Sequence, residues 1–182
     1  MKNGAYIARL ALTLLIITSL VALLLSGVNM ITKDRIAAAK AEKTAKAISA
    51  VLENGETAVE TAFNLAAHPL VTKVYANDHG YAVQVSPAGF GGGIDMMVGI
   101  DHEGNVTGIS IISHTETAGL GAVAADKTAK GQAFRDQFTG LSEETAVGEQ
   151  IDAISGATIT SKAVTEGVNA ALSLVAAMDK EG

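Results

Sequence analysis

Ten residues near the C-terminus, 152–161, carry the hydroxyl groups best placed for chemistry in this chain. They read Asp-Ala-Ile-Ser-Gly-Ala-Thr-Ile-Thr-Ser, and a helix with apolar periodicity follows at once. Gly156 and Ala157 are small, so a turn here leaves the hydroxyl of Thr158 accessible to a bulky group. The free N–H groups and positive dipole end of the following helix favour a phosphate at this point. The alternative is an ordinary turn followed by a helix N-cap.

The composition excludes several kinds of function. The chain of 182 residues has no Cys, which rules out disulfides, thiolate zinc sites, Cys-ligated iron–sulfur clusters and a Cys nucleophile. The net charge is −6, and the only charged side chains before Lys33 are Lys2 and Arg9, so the remainder is more acidic still. An acidic body without Trp is a poor nucleic-acid binder. No catalytic triad or paired-His metal motif occurs, and we predict neither catalytic nor metal-binding residues.

An N-terminal transmembrane anchor is predicted over 1–32, because residues 10–31 are apolar and uncharged over about one bilayer thickness. The alternatives are a buried core helix and a cleaved signal peptide, but the apolar run is long and 28–31 lacks a clear Ala-x-Ala site. Membrane lipid is therefore a predicted partner. Charge leaves the orientation open, because Lys2 and Arg9 favour a cytoplasmic N-terminus whereas the basic residues of 33–46 favour the reverse.

A helical connector is predicted over 33–69. Residues 32–52 are rich in Ala, Lys and Glu, and a second, weaker helical run over 56–67 ends at His68-Pro69.

From residue 70 the hydrophobic period changes to two, which predicts a meander of antiparallel strands in a domain over 70–182. The strands are predicted at 71–76, 81–85, 94–100 and 106–113. The third of them lacks alternation and should be buried on both faces, and the glycine-rich loop before it, 86–93, indicates close backbone approach at a sheet bend.

The remaining elements of this domain are helical or extended. The sequence predicts one helix or two short ones over 123–138, broken near Gly131, with Phe134 and Phe138 in the core. An extended segment over 148–154 and a closing helix over 161–178 should follow. The predicted fold class is α+β: a single N-terminal transmembrane helix, then an antiparallel-sheet domain with a C-terminal helix.

A second polar stretch, His-Thr-Glu-Thr-Ala-Gly-Leu-Gly at 114–121, is too rich in glycine and polar residues to be core. Together with the Asp-x-x-Ser-Gly-Ala-Thr string it resembles the FMN-binding domain family, whose loop reads His-x-Glu-Thr-Pro-Gly-Leu-Gly. Ala118 replaces that proline, which loosens the turn. Further matches lie between about 80 and 165, including Gly-Phe-Gly-Gly at 89–92 and Met-Val-Gly-Ile-Asp at 97–101.

The resemblance implies FMN joined to Thr158 through a phosphoester by a flavin transferase, with Asp152 in the transferase's recognition pattern. The cofactor-binding residues that it implies are Thr158 itself, Ser155, Gly156, Ala157, Ile159, Thr160, Glu116, Thr117, Gly119 and Leu120.

The order of motifs behind an N-terminal anchor is similar to that in the G subunits of Rnf electron-transport complexes. The C subunits of sodium-pumping NADH:quinone reductases share the motifs but are typically longer. The resemblance implies a membrane-anchored redox component that relays electrons between ferredoxin and NAD, is not an enzyme alone, and has other membrane subunits as partners. It also implies that the flavin domain lies on the extracytoplasmic side of the cell membrane. The alternative is an anchored extracytoplasmic binding or sensor module without covalent flavin.

Overall fold

The computed structural model describes residues 2–63 and 67–181. It divides into two compact units, Met1–Glu42 and Lys43–Gly182. One long helix, α1 (Lys2–Val51), contributes to both.

The first unit contains the apolar part of α1, and the side chains of residues 6–31 are exposed. Over residues 10–31 a helix is about 33 Å long at 1.5 Å per residue, which matches a bilayer core. Three hydroxyls in it, of Thr13, Thr18 and Thr32, donate to the carbonyl four residues earlier at 2.8, 2.9 and 2.8 Å. Such polar groups are satisfied without water, as lipid requires. Among the described residues, α1 is the one helix long and apolar enough to cross a membrane.

The second unit is built on a five-stranded antiparallel meander in the order β1-β2-β3-β4-β5. The strands are β1 (Val59–Thr61), β2 (Val71–Asn77), β3 (Gly80–Val85), β4 (Asp95–Asp101) and β5 (Val106–Ser113). The four strands from β2 onward lie within one residue of their predicted bounds. The α+β fold class is therefore confirmed.

One face of the sheet packs on two helices, α2 (Ala129–Asp136) and α3 (Thr158–Glu181). Phe134 and Phe138 are both buried here, as predicted, with their rings edge to face at 5.5 Å. Gly167 lets α3 approach the sheet closely, because a Cβ there would lie 3.1 Å from a methyl of Val85. This close packing accounts for a glycine within the helix.

The other face of the sheet is covered by the last turns of α1. Ile48, Val51 and Leu52 form a second apolar cluster with Ala82 and Met97 of the sheet. The prediction that residues 94–100 are buried on both faces is confirmed, because alternate residues of β4 enter the two clusters. The connector residues that precede the sheet in sequence thus contribute to its core.

The helix predicted over 56–67 is wrong in its first half. Gly55–Thr57 forms a single 3-10 turn and Val59–Thr61 forms the edge strand β1, while 64–66 lie outside the described residues. Lys73 of β2 donates to Glu60 of β1 at 2.7 Å, and this hydrogen bond is the main cause that raises the pKa of Lys73. Both side chains are about half exposed, so the pair contributes little to stability.

Two other predicted segments differ in detail. The region 123–138 contains the end of a 3-10 turn, Gly121–Ala124, and one α-helix, α2, so the helical prediction is confirmed only in part. The break lies before Thr128, which caps α2 by accepting from the N–H of Gly131, so Gly131 is inside the helix rather than at the break. The segment 148–154 forms only one isolated bridge, between Val147 and Ile151, and no extended strand.

Candidate functional site

The N-terminus of α3 opens onto a cavity of about 340 Å³. The cavity lies between three segments that are far apart in sequence: the glycine-rich loop, the polar loop around Glu116, and the turn that leads into α3. Its lining residues are Phe90, Glu116, Thr117, Leu120, Gly121, Gly156, Ala157, Thr158, Ile159 and Thr160. This volume is at the lower end of the range for small-molecule sites, so a ligand as large as a flavin nucleotide would keep part of its surface exposed.

A tight turn places Thr158 at this cavity. The N–H of Ala157 donates to the carbonyl of Ile154 at 2.9 Å, and Gly156 takes a φ of 77° at the third position of the turn. That conformation favours glycine, as in a type II turn. Ser161 is fully buried and holds the turn on the helix, since its Oγ accepts from the N–H of Ile154 and donates to the carbonyl of Ala157, both at 3.0 Å.

Thr158 is the first residue of α3 and is exposed. The carbonyl of Ala157 accepts from the N–H of Ser161 at 3.0 Å, so the helical hydrogen bonds begin there. The N–H groups of Thr158, Ile159 and Thr160 therefore have no carbonyl partner within the helix. They give this end of the cavity a partial positive charge, which suits an anion beside the Thr158 hydroxyl.

Glu116 joins the three segments around the cavity. Its side chain is only 8% exposed, and Oε1 accepts from the N–H of Gly91 at 2.8 Å. Oε2 accepts a short hydrogen bond from the hydroxyl of Thr160. Gly121 makes room for this contact, because a Cβ there would collide with Glu116 and Thr160. Both carboxylate oxygens thus have partners inside the protein.

Most of the residues implied by the resemblance lie together around this cavity. Eight of them line it, namely Glu116, Thr117, Leu120, Gly156, Ala157, Thr158, Ile159 and Thr160. Ser155 and Gly119 are exposed neighbours that do not line it. Asp152 is exposed, and its main chain is held by the side chain of Gln137, with 2.7 Å between the Asp152 N–H nitrogen and Oε1.

Two lining residues, Phe90 and Gly121, were missed by the sequence reasoning. Gly121 is the last glycine of the 114–121 motif, so the motif itself contained its signal. Phe90 belongs to the Gly-Phe-Gly-Gly match at 89–92, but nothing local indicates that its side chain lies beside the turn that leads into α3. Among the residues that the structure describes, no group of His, Asp or Glu side chains could hold a metal ion.

Comparison with known proteins identifies the class. Residues 89–173 match the FMN-binding domain, and residues 1–51 match the RnfG N-terminal region. The first match contains the whole cavity, and the second contains the apolar helix.

Three curated relatives are all G subunits of ion-translocating complexes. The G subunit of the Na(+)-translocating ferredoxin:NAD(+) oxidoreductase complex of Acetobacterium woodii is 41% identical over 56% of this chain and 51% of its own length. Its proton-translocating counterpart from Clostridium ljungdahlii is 41% identical over 52% of each chain. The alignment thus spans about half the length of these two relatives.

The third relative extends the likeness to most of both chains. The G subunit of the ion-translocating oxidoreductase complex of Stutzerimonas stutzeri is 34% identical over 89% of this chain and 78% of its own length. The chain therefore belongs to the family of G subunits of ion-translocating oxidoreductase (Rnf) complexes.

Proposed function

We propose that this chain is a membrane-anchored electron carrier with FMN attached covalently through a phosphoester to Oγ1 of Thr158. The observation that carries the proposal is the position of Thr158, an exposed hydroxyl at the start of α3 on the edge of the cavity. The match to the FMN-binding domain supplies the identity of the cofactor.

The residues present fit the two chemically different ends of FMN. The first N–H groups of α3 would hold the phosphate, because helix N-termini bind anions. Leu120 and Ile159 would contact the flavin ring, since they present partly exposed apolar surface to the same cavity. Glu116 lines the same cavity, and each of its oxygens accepts one hydrogen bond from the protein and keeps a lone pair that could accept from the flavin.

Attachment at Thr158 requires an activated donor. A hydroxyl forms a phosphoester with a phosphoanhydride of FMN when Oγ1 attacks the FMN phosphorus: the Oγ1–P bond forms, the anhydride P–O bond breaks, and the second phosphate of the anhydride leaves as a phosphomonoester. The proton of Thr158 leaves to solvent or to a base on the enzyme that performs the transfer. We assign that step to a flavin transferase, for which the exposed Asp152 would be an accessible recognition residue.

The function of the loaded protein would be electron relay. Flavins supply one- and two-electron chemistry, and the protein supplies binding, orientation and electrostatics. A tether at Thr158 keeps the carrier from diffusing away, while non-covalent contacts place the ring. By analogy with the relatives named above, the electrons would pass between ferredoxin and NAD in an ion-translocating complex, with the other membrane subunits as partners and α1 in lipid.

In-gel flavin fluorescence tests attachment at Thr158. The full chain would be co-expressed with a flavin transferase, denatured and run beside Thr158→Ala and a matched control, Thr139→Ala, which removes another exposed Thr hydroxyl. We expect fluorescent bands for the wild type and Thr139→Ala and a dark band for Thr158→Ala. A fluorescent Thr158→Ala band would overturn the assignment of the residue. If all three bands are dark while the same transferase labels a known control substrate, the result would favour an anchored binding or sensor module without covalent flavin.

A further inference from the structure

Three exposed apolar side chains converge on the Thr158 cavity, and the largest of them is Phe90. Among the described residues from 43 onward, the large apolar side chains exposed to solvent are Val59, Phe90, Leu120 and Ile159. All except Val59 line the cavity. Single exposed apolar residues are ordinary, but their convergence at one cavity indicates a ligand surface.

The loop that carries Phe90 is fixed through its backbone. Phe90 lies at the tip of a hairpin in which the N–H of Gly89 donates to the carbonyl of Gly92 at 2.8 Å. The N–H of Gly91 donates to the buried carboxylate of Glu116, also at 2.8 Å. The loop is therefore attached to the opposite wall of the cavity, yet the aromatic ring that it carries is 70% exposed.

The close approach of this loop depends on its glycines. A Cβ at Gly91 would lie 2.8 Å from the carbonyl carbon of Thr115, and a Cβ at Gly89 would collide with the carboxylate of Glu116. Such contacts allow only glycine at these positions. The sequence thus holds Phe90 at the edge of the cavity without packing its ring against the protein.

We propose that Phe90 packs against the flavin ring of the tethered FMN and shields it from water, with Leu120 and Ile159 completing an apolar collar. This inference rests on the proposed function, because a tether at Thr158 fixes only the phosphate end of the cofactor. Aromatic side chains pair with other π systems in offset or edge-to-face contact. The three collar side chains carry no polar atoms, so they act by burying the ring and excluding water and not by proton transfer.

The test uses the full flavinylated chain in detergent and measures two properties of the attached flavin. Acrylamide quenching of its fluorescence reports exposure of the ring, and fluorescence anisotropy reports its mobility. Phe90→Ala should shift the equilibrium between packed and free ring about twofold to tenfold toward the free form. Quenching should therefore rise and anisotropy should fall. Val59→Ala, which removes an exposed apolar side chain outside the cavity, should match the wild type.

The possible outcomes distinguish the packing of Phe90 on the flavin ring from the covalent attachment of FMN at Thr158. A denaturing gel reports covalent flavin independently, so attached flavin with equal quenching and anisotropy in Phe90→Ala and Val59→Ala would overturn the collar alone. If the wild type carries no covalent flavin, the attachment at Thr158 fails, and titration with free FMN tests the collar instead. Phe90→Ala should then weaken FMN binding about twofold to tenfold relative to Val59→Ala, and equal affinities would overturn the collar.

Discussion

Glu116 is the side chain through which the three segments of the cavity are connected. Its oxygens accept from Gly91 and Thr160, and hydrogen bonds to a charged group in a buried position are stronger than average. Because Thr160 is two residues from Thr158, the carboxylate of Glu116 positions the start of α3 through Thr160. The loop motif predicts Glu116 as a flavin neighbour, and that stays a prediction; the motif does not show that the same carboxylate also connects the other two segments.

Replacing Glu116 should therefore cost stability. Glu116→Ala leaves the Gly91 N–H and the Thr160 hydroxyl without their partner, and we expect the free energy of unfolding to fall by about 2 to 3 kcal/mol. Glu116→Gln keeps an acceptor for the N–H of Gly91, so its free energy of unfolding should fall by less. Urea denaturation of the full chain in detergent, followed by circular dichroism, measures both. Glu143→Ala is the control at an exposed position, and equal stability of Glu116→Ala and Glu143→Ala would contradict the role of Glu116.

At the scale of elements, α3 begins earlier than its sequence predicts. Apolar periodicity indicated a helix from 161, but the structure starts it at Thr158. Thr158, Ile159 and Thr160 are β-branched and have low helix propensity, so the local signal is weak. Contacts with residues outside the helix stabilise this first turn. They are the hydrogen bond from Thr160 to Glu116 and the hydrogen bond from the N–H of Ile154 to the hydroxyl of Ser161.

The turn before α3 should be sensitive to a methyl group at Gly156. Gly156→Ala puts a Cβ on a residue with a φ of 77° and 3.2 Å from Leu120. We expect the free energy of unfolding to fall by about 1 to 2 kcal/mol, because alanine disfavours the left-handed backbone conformation. Gly104→Ala is the matched control, because Gly104 has a φ of 83° and open space around it. Gly156→Ala should also reduce covalent flavin in the gel assay relative to Gly104→Ala, and equal labelling would contradict the proposed geometry of the turn.

The sheet shows which elements can be predicted from sequence and which cannot. The strands from β2 to β5 have their own periodicity and turn residues, so their bounds were predictable. β1 has only three residues, Val59–Thr61, and exists because it pairs with Val74–Ala76, a contact that no local pattern shows. Phe90 is a similar case, because its place at the cavity depends on the contact of Gly91 with a residue 25 positions later.

At the scale of the whole molecule, the apolar helix and the FMN-binding domain match define a single-pass membrane protein with a flavin domain. The side on which the domain lies remains our prediction, because the basic residues flanking the helix oppose one another. An extracytoplasmic position would place an attached FMN outside the cytoplasm. Partner subunits would then have to reach it from the membrane or from the outer face.

Single-cysteine labelling tests this topology, because the natural chain has no Cys. Glu103→Cys lies in an exposed turn of the second unit, and Gly4→Cys lies before the apolar segment. A membrane-impermeant maleimide added to intact spheroplasts should label Glu103→Cys and leave Gly4→Cys unlabelled until lysis. The reverse pattern would place the flavin domain in the cytoplasm.

The most direct measurement of flavin attachment is mass spectrometry of the peptide that contains Thr158. Trypsin cleaves after Arg135 and Lys162, which releases residues 136–162 as one peptide from the chain co-expressed with a flavin transferase. A phosphoester at Thr158 should add the mass of FMN less one water to this peptide, and fragmentation that retains side-chain esters should place the added mass on Thr158. An unmodified peptide, with a control flavoprotein modified in the same cells, or a gain placed on Thr160, would contradict attachment at Thr158.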